Sequence, residues 1–552
     1  MGSLIHVGRS VRCFLAVLLV MLGMSGPPSV AASERDVSLA EQLAELNTRS
    51  FAAKARVIES LAQSPDRRVL PLFKQLLDGD LYYAKPFDAV VLVTPVSDGY
   101  SVADVLSGEA LGVVGKRAVK RISINNTIRG LLKMQIATLS LSDPEPDVRS
   151  AAVKELTGQA EPEIIQLFVE RLAVESDQGV KRQLAVALAL NDLSHGDRAV
   201  RLAAIDIVAG SLLPVVANRL RAMTETDSDG HFGESDTEVR ASAAKALRDI
   251  ESRVAFYELI ETVFFGLSLG SVLVLAAIGL AITFGVMGVI NMAHGELIML
   301  GAYTTYVIQQ LLPDQIGWSV LLAIPTAFLV SGLVGILIER GVIRFLYGRP
   351  LETLLATFGV SLLLQQTVRS IFSPLNRSVA TPSWMSGSLE INSALSLTYN
   401  RLYILLFSLL VFALLWLVLN RTTLGIKVRA VSQNRAMARA MGIRANWIDA
   451  LTFGLGSGIA GVAGVALSQL TNVGPNLGQA YIIDSFMVVV FGGVGNIWGT
   501  LVGGLTLGVA NKFLEPYSGA VLAKTLVLVF IILFIQRRPR GLFPQKGRAA
   551  EG

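Results

Sequence analysis

From residue 263 to 536 the sequence is a succession of long apolar stretches, at about 263–284, 286–311, 318–338, 353–372, 402–420, 449–470, 485–511 and 520–536. A helix crossing the hydrocarbon of a bilayer needs about 20 such residues, so each stretch has the length of a span. Within a bilayer no water satisfies backbone N–H and C=O groups, and these segments can cross only as helices. The predicted fold class is therefore all-α, a polytopic transmembrane helix bundle. It has eight or nine spans, depending on whether the Gly-broken stretch 485–511 passes twice. Composition agrees: 552 residues that are 52% hydrophobic and 16% charged, with a mean hydropathy of +0.55, are too apolar for a soluble enzyme.

Charge marks the domain boundary. Acidic and basic residues are dense from Ser33 to about Arg253, whereas Val263–Gly295 carries none. At the start, Arg9 and Arg12 precede the apolar run Phe14–Met24, then Gly26-Pro27-Pro28 and the small residues Ser29-Val30-Ala31-Ala32. These are the three regions of a secretory signal peptide, cleaved after Ala31 or Ala32, and the apolar run is too short for a membrane anchor. The expected organisation is a signal peptide at 1–32, an exported domain at 33–255 and a transmembrane domain at 256–545. Cys13, the single cysteine, lies in the leader, so the mature chain has no disulfide or thiolate metal site. The net charge of +5 reflects basic residues collected on one side of a membrane rather than affinity for nucleic acid.

Within 33–255 a pattern recurs, with an acidic or turn residue, Val-Arg or a near variant, then small residues and Leu. It reads Asp147-Val148-Arg149-Ser150-Ala151-Ala152, Gly179-Val180-Lys181-Arg182-Gln183-Leu184-Ala185, Ala199-Val200-Arg201-Leu202-Ala203-Ala204 and Glu238-Val239-Arg240-Ala241-Ser242-Ala243. It resembles the second helix of HEAT-type repeats, where small residues let paired helices approach. The spacing is irregular. Ala89–Pro95 reads as a short strand followed by a turn at Ser97–Tyr100, a small β element among the helices. His195 and His231 are isolated, and Asp227-Ser228-Asp229-Gly230 lacks the later glutamate of a calcium loop. No metal or cofactor set is expected. Helical solenoids present surfaces to other proteins, so the domain is read as a docking or sensing module.

Orientation follows the basic residues. Arg421, Lys427, Arg429, Arg435, Arg439 and Arg444 crowd one loop with no acidic residue from 421 to 448, and Arg537, Arg538 and Arg540 follow the last stretch. Both belong in the cytoplasm, with Arg340, Arg344 and Arg349. Counting spans back puts the 256–262 junction outside, in agreement with the leader, provided that 485–511 crosses twice. The expected location is a bacterial inner membrane, with the N-terminal domain periplasmic and the C-terminus cytoplasmic.

Two interruptions break the apolar pattern. Gly285, Gly288 and Gly295 surround Asn291, His294 and Glu296; Gly492, Gly493 and Gly495 precede Asn496. Polar groups and broken helices at membrane depth line a cavity or bury inside protein, and paired interruptions point to a substrate pathway. The other reading of the glycines is close helix packing. Gln365 and Gln366 join Asn291, His294, Glu296 and Asn496 as candidates for a pathway, and Asp484 as the mark of a membrane edge. In the basic loop, Gln433, Asn434 and Arg435 lead into Ala436, Met437, Ala440 and Met441, which form one apolar stripe on a short helix ended by Gly442. Such a stripe suits a protein partner; a helix lying on anionic membrane lipid is the alternative.

The run Asn291–Glu296, the stretch Leu355–Ser361, the loop Gly425–Ile443, the run Phe491–Asn496 and the ending Arg538–Phe543 occur in one order. Together they resemble the branched-chain amino acid permease family of ABC importers, over about 260–545. Within that family, the exported extension and the wording of Gly288–Gln309 look like a urea-type permease subunit. The resemblance implies a second homologous permease subunit, two cytoplasmic ABC ATPases and a periplasmic substrate-binding protein, with Gln433–Gly442 as the ATPase coupling helix. The chain has no Gly-x-x-x-x-Gly-Lys-Ser/Thr phosphate loop, so it reads as a transporter subunit and not an enzyme. The expected function is alternating-access import of urea, with branched-chain amino acids or short amides as the alternative substrate. An ATP-independent channel, or a receptor whose spans only signal, would be rivals of another class.

Overall fold

The computed structural model describes residues 39–543 apart from 49, 65, 97–98, 116, 160 and 227–231. The leader with Cys13, and His231 with the Asp227–Gly230 stretch, lie outside the described residues. Contacts divide the chain into two units after Ile250.

After helical residues 39–47, the first unit has helices α1 (Phe51–Ala62) and α2 (Val69–Asp78), then strands β1 (Leu81–Ala84), β2 (Ala89–Val96), β3 (Gly99–Asp104), β4 (Ala110–Val114) and β5 (Val119–Arg121). All pairings are antiparallel, in the order β4-β3-β2-β1-β5, with Leu81 opposite Leu92 and Tyr83 opposite Val90. The sheet is thus larger than the one strand read from Ala89–Pro95. Leu81 and Val90 join Ile58, Leu61, Phe73, Leu76, Ile128 and Leu132 in one buried cluster.

Helices α3 (Asn126–Ser140), α4 (Pro146–Leu156), α5 (Pro162–Val174), α6 (Gln178–Asp192), α7 (Arg198–Val208) and α8 (Pro214–Thr224) follow. Their starts are written in the sequence. Asn125, Asp177 and Asp197 accept from backbone N–H groups of the first turn, and Pro146, Pro162 and Pro214 occupy the first helical position. Leu156, Phe168 and Leu184 form the core between them. All four Val-Arg stretches fall near helix starts, the last in α9 (Thr237–Met287). Three of the arginines turn back onto the preceding loop: Arg149 donates to the carbonyls of Asp143 and Pro144, Arg201 to those of His195 and Gly196, and Arg240 to that of Glu234. Arg149 also pairs with Glu175 at 2.7 Å, and both side chains are buried.

The second unit contains the rest of α9, then α10 (His294–Leu311), α11 (Ile316–Gly341), α12 (Pro350–Phe372), strands β6 (Ser388–Asn392) and β7 (Leu395–Thr398), and α13 (Tyr399–Arg421). α14 (Thr423–Gln433), the short α15 (Arg435–Ala440), α16 (Ala445–Ser468), α17 (Leu477–Gly492) and α18 (Ile497–Arg537) complete it. α18 has two arms, joined where Gly519 takes φ 78°. Neighbouring contacts fix the directions. α9 runs antiparallel to the first arm of α18, because Gly285 approaches Gly495 while Gly266 approaches Val509. The second arm runs parallel to α17, since Asp484 meets Lys524 and Phe491 meets Phe534. α11 and α16 are antiparallel, with Ala327 at Gly461 and Gly335 at Ser457.

The crossing of α10 with α16 is closer than any side chain permits. A Cβ on Gly301 would lie 1.9 Å from the carbonyl oxygen of Gly461. Among the described residues, six helices are long and apolar enough to cross a membrane. Three of the eight or nine stretches read from the sequence are not among these six as separate helices: α10 has 18 residues but opens on His294 and Glu296, α17 has 16 residues, and α18 joins two stretches into one helix.

Candidate functional site

α9 stops at Met287 and Gly288, with φ +65°, turns the chain back. The return is deep. His294 Nε2 lies 2.9 Å from the carbonyl oxygen of Ala276, about three turns before the end of α9. α10 therefore begins beside the last third of α9, and in the unwound stretch 288–293 Val289, Asn291 and Ala293 are buried while Gly288 is exposed.

Side chains satisfy part of this broken backbone. Asn291, fully buried, accepts from the N–H of Ala293 at 3.0 Å, and the Thr357 hydroxyl accepts from the N–H of Met292 at 3.1 Å. One turn along, Glu296 Oε1 accepts from Gln365 Nε2 at 2.6 Å and from Ser361 Oγ at 3.0 Å. Thr357, Ser361 and Gln365 recur every fourth residue, which puts them on one face of α12. The result is a buried polar seam between α10 and α12. Three of its atoms, Asn291 Nδ2, His294 Nδ1 and Glu296 Oε2, have no hydrogen-bond partner among the described residues.

Of the residues singled out from the sequence, the structure brings together Asn291, His294, Glu296 and Gln365. Gln366 is exposed on another face of α12. Asn496 stands elsewhere: it caps α18 by accepting from the N–H of Gly499 and donates to the carbonyl of Phe543. Thr357 and Ser361 escaped sequence reasoning. Their spacing of four from each other and from Gln365, inside an apolar stretch, was the available signal.

The glycines serve close approach. Gly295 and Gly478 meet where α10 crosses α17, and a Cβ on Gly295 would be 2.5 Å from the Gly478 carbonyl oxygen. Gly492 faces Gly499, and the backbone after Gly492 is held by N–H groups of Leu542 and Phe543 donating to the carbonyls of Phe491 and Gly492. The two interruptions touch, since a Cβ on Gly285 would reach 2.2 Å from Gly495 Cα. Asp484 pairs with Lys524 at 3.0 Å.

At the basic loop, α15 is bounded by the residues the sequence marks. Asn434 accepts from the N–H of Met437, and Gly442 takes φ +85° beyond the last turn. Ala438 faces inward onto Val428, Val431, Ala445 and Ile448. Gln433, Ala436 and Ala440 are exposed, and so are Met437 and Met441, at 60% and 77%.

Residues 262–536 match the family described as branched-chain amino acid transport system / permease component. The chain is 32% identical to the high-affinity branched-chain amino acid transport system permease protein BraD of Pseudomonas aeruginosa, over 52% of this chain and 96% of that protein. It is 31% identical to LivH of Escherichia coli K12, a permease of the same description, over 52% and 96%. A ribose import permease, RbsC of Haemophilus influenzae, is 30% identical over 22% of this chain and 42% of its own. No solved structure matches the chain. The matched half holds the apolar helices, the polar seam and the basic loop. The chain belongs to the branched-chain amino acid transport permease family, as a multi-pass membrane permease component rather than an enzyme.

Proposed function

We propose that this chain forms half of the translocation path of an ATP-driven importer, and that the solute is urea. The observation that carries the reading is the buried seam of Asn291, Glu296, Ser361 and Gln365, which leaves an amide donor and a carboxylate acceptor unpaired. An unpaired buried polar group costs about 1–3 kcal/mol, which a small neutral solute rich in N–H and C=O groups relieves in passing. His294, with its own unpaired ring nitrogen, belongs to the same path.

The exported extension sets this chain apart from its relatives, which it matches over about half its own length. It supports urea over an amino acid, as does the urea-type wording of Gly288–Gln309. The 32% identity to a branched-chain amino acid permease favours the second reading, import of those amino acids.

The alternating directions of α9, α10, α11, α12, α13, α16, α17 and the two arms of α18 support nine crossings. An odd number carries a chain from outside to a cytoplasmic C-terminus. The arginines of 421–444 and 537–540 then lie inside, and the helical N-terminal domain lies in the periplasm behind a cleaved leader. A second permease subunit, a periplasmic binding protein and two ATPases complete the assembly, the ATPases seating on Met437 and Met441 of α15. The test is uptake of labelled urea and labelled leucine in source cells lacking the chain and in cells with it restored. Loss of urea uptake alone supports the reading. Loss of leucine uptake alone keeps the importer and replaces the solute, and uptake that persists without the ATPases makes the chain a channel.

A further inference from the structure

At the end of the bundle that carries the basic loop, two carboxylates are buried on adjacent helices. Glu339, near the end of α11, and Asp449, near the start of α16, are each only 1% exposed. They sit at the same end of the closely packed α11–α16 pair. Buried charges of this kind are costly unless paired. Their partners come from elsewhere in the chain. Arg435, the first residue of α15, forms an ion pair with Asp449, and its guanidinium lies over the ring of Tyr347, 4.4 Å from the centroid. Tyr347, in the turn between α11 and α12, directs its hydroxyl to Glu339 at 3.4 Å.

The remaining charged groups around the cluster do not duplicate this link. Arg340 lies 3.7 Å from Glu339 without hydrogen-bond geometry and rests over Trp447 at 4.5 Å. Arg439 reaches Asn446 at 3.4 Å. Arg344 sits over Phe345. Arg435 is the α15 residue in an ion pair with the buried Asp449 of α16, whereas Arg439 of the same helix reaches the amide of Asn446 only.

We infer that Arg435, Asp449, Tyr347 and Glu339 form a clasp that transmits displacement of α15 to the α11–α16 pair, and so to the polar seam. The inference rests on the importer reading above. α15 is otherwise held by Ala438 in a small apolar cluster and by the long Arg439–Asn446 contact; the Arg435 guanidinium is planar, paired at its N–H edge with a carboxylate and covered on one face by a ring. Beyond the clasp, α16 is locked to α10 where Gly464 lies against the backbone of Ile298 and Ala302, one turn from Glu296. Arg435 is thus a positioning residue: it touches no solute, and it makes a push on α15 a movement of α16.

The experiment uses the complete transporter in proteoliposomes, with ATP hydrolysis and uptake of labelled urea and leucine measured in the same preparation. In Arg435→Met and in Asp449→Asn, hydrolysis persists while uptake per ATP falls about 5-fold or more, the lower end of an ordinary coupling effect. The double variant is no worse than either single one, because both break the same link. Arg435→Lys, which keeps charge but not the planar fork, is intermediate. Met437→Asp is the contrast, reducing hydrolysis and uptake together by loosening the ATPase. The clasp is refuted if Arg435→Met lowers hydrolysis and uptake in proportion, if neither changes, or if the two single effects add. Absence of ATP-dependent uptake in the wild type would instead refute the importer reading itself.

Discussion

Gly295→Ala is the smallest change that should disable the seam. The added carbon would sit 2.5 Å from the carbonyl oxygen of Gly478, about 0.9 Å short of the 3.4 Å at which ordinary contact begins. The obstacle is backbone on both sides, so α10 and α17 must separate at their crossing. Overpacking of this kind costs about 1–3 kcal/mol. The same shift acts on the next residue: a Glu296–Ser361 contact of 3.0 Å lengthened by most of that distance is no longer a hydrogen bond. A lost hydrogen bond to a charged group adds about 1.5–3 kcal/mol, for a total of roughly 2.5–6 kcal/mol. The assay is thermal unfolding of purified protein in detergent, with solute uptake in restored cells. Gly359→Ala is the control, since nothing lies within 4 Å of a Cβ there. If Gly295→Ala kept both the unfolding temperature and the uptake of wild type, the crossing would have slack and the argument from close approach would fail.

Replacing Met437 and Met441 together by Asp should abolish uptake without lowering the unfolding temperature, because both side chains are exposed and the buried contact of α15 is Ala438; co-purification with the ATPases and calorimetry check this. In the first unit, Leu184→Ala should cost about 3 kcal/mol, since the side chain is fully buried among Leu156 and Phe168; denaturant titration reads it. Glu175 is held well below the ordinary carboxylate range by the Arg149 guanidinium foremost, against the opposing effect of burial, and by N–H groups of Asp177 and Ser176 and by Arg171. A depressed acid contributes its stability in full above its unfolded value of about 4.5 and loses it as pH falls below that. Thermal scans from pH 7 to pH 3 should therefore show wild type losing more stability than Glu175→Gln, which starts lower and is flatter. Gly130→Ala, in the exposed middle of α3 with no neighbour within 4 Å, should stabilise by about 0.5–1 kcal/mol.

Much of this architecture was legible before the structure. Apolar length and the gap in charge from 263 to 295 marked the membrane half, and Gly442 marked the end of the short helix in the basic loop. Local signals of that kind depend on neighbours in sequence, which the reader of a sequence has. The polar seam was half legible. Asn291, His294 and Glu296 stand out against apolar surroundings, whereas Thr357 and Ser361 are ordinary residues whose role depends on which face of α12 meets α10. Asn496 looked like its counterpart Asn291 because both follow glycines, yet one is buried beside a broken helix and the other caps a helix start. The clasp was illegible for a different reason. Asp449 and Glu339 are 110 positions apart, and only the packing of α11 on α16 makes them neighbours.

The arginines that turn back on the loops before α4, α7 and α9 bear on how such a chain can vary. Each guanidinium reaches carbonyls five or six positions earlier, so the loop and the helix start are measured against each other by a rigid fork. An inserted residue between acceptor and arginine would move the carbonyls out of reach and strand a half-bonded cation. Loop lengths at 143–149, 195–201 and 234–240 are therefore fixed by chemistry, and changes in length are tolerated only in connections without such a fork. An array of helices that looks freely extensible carries its own ruler.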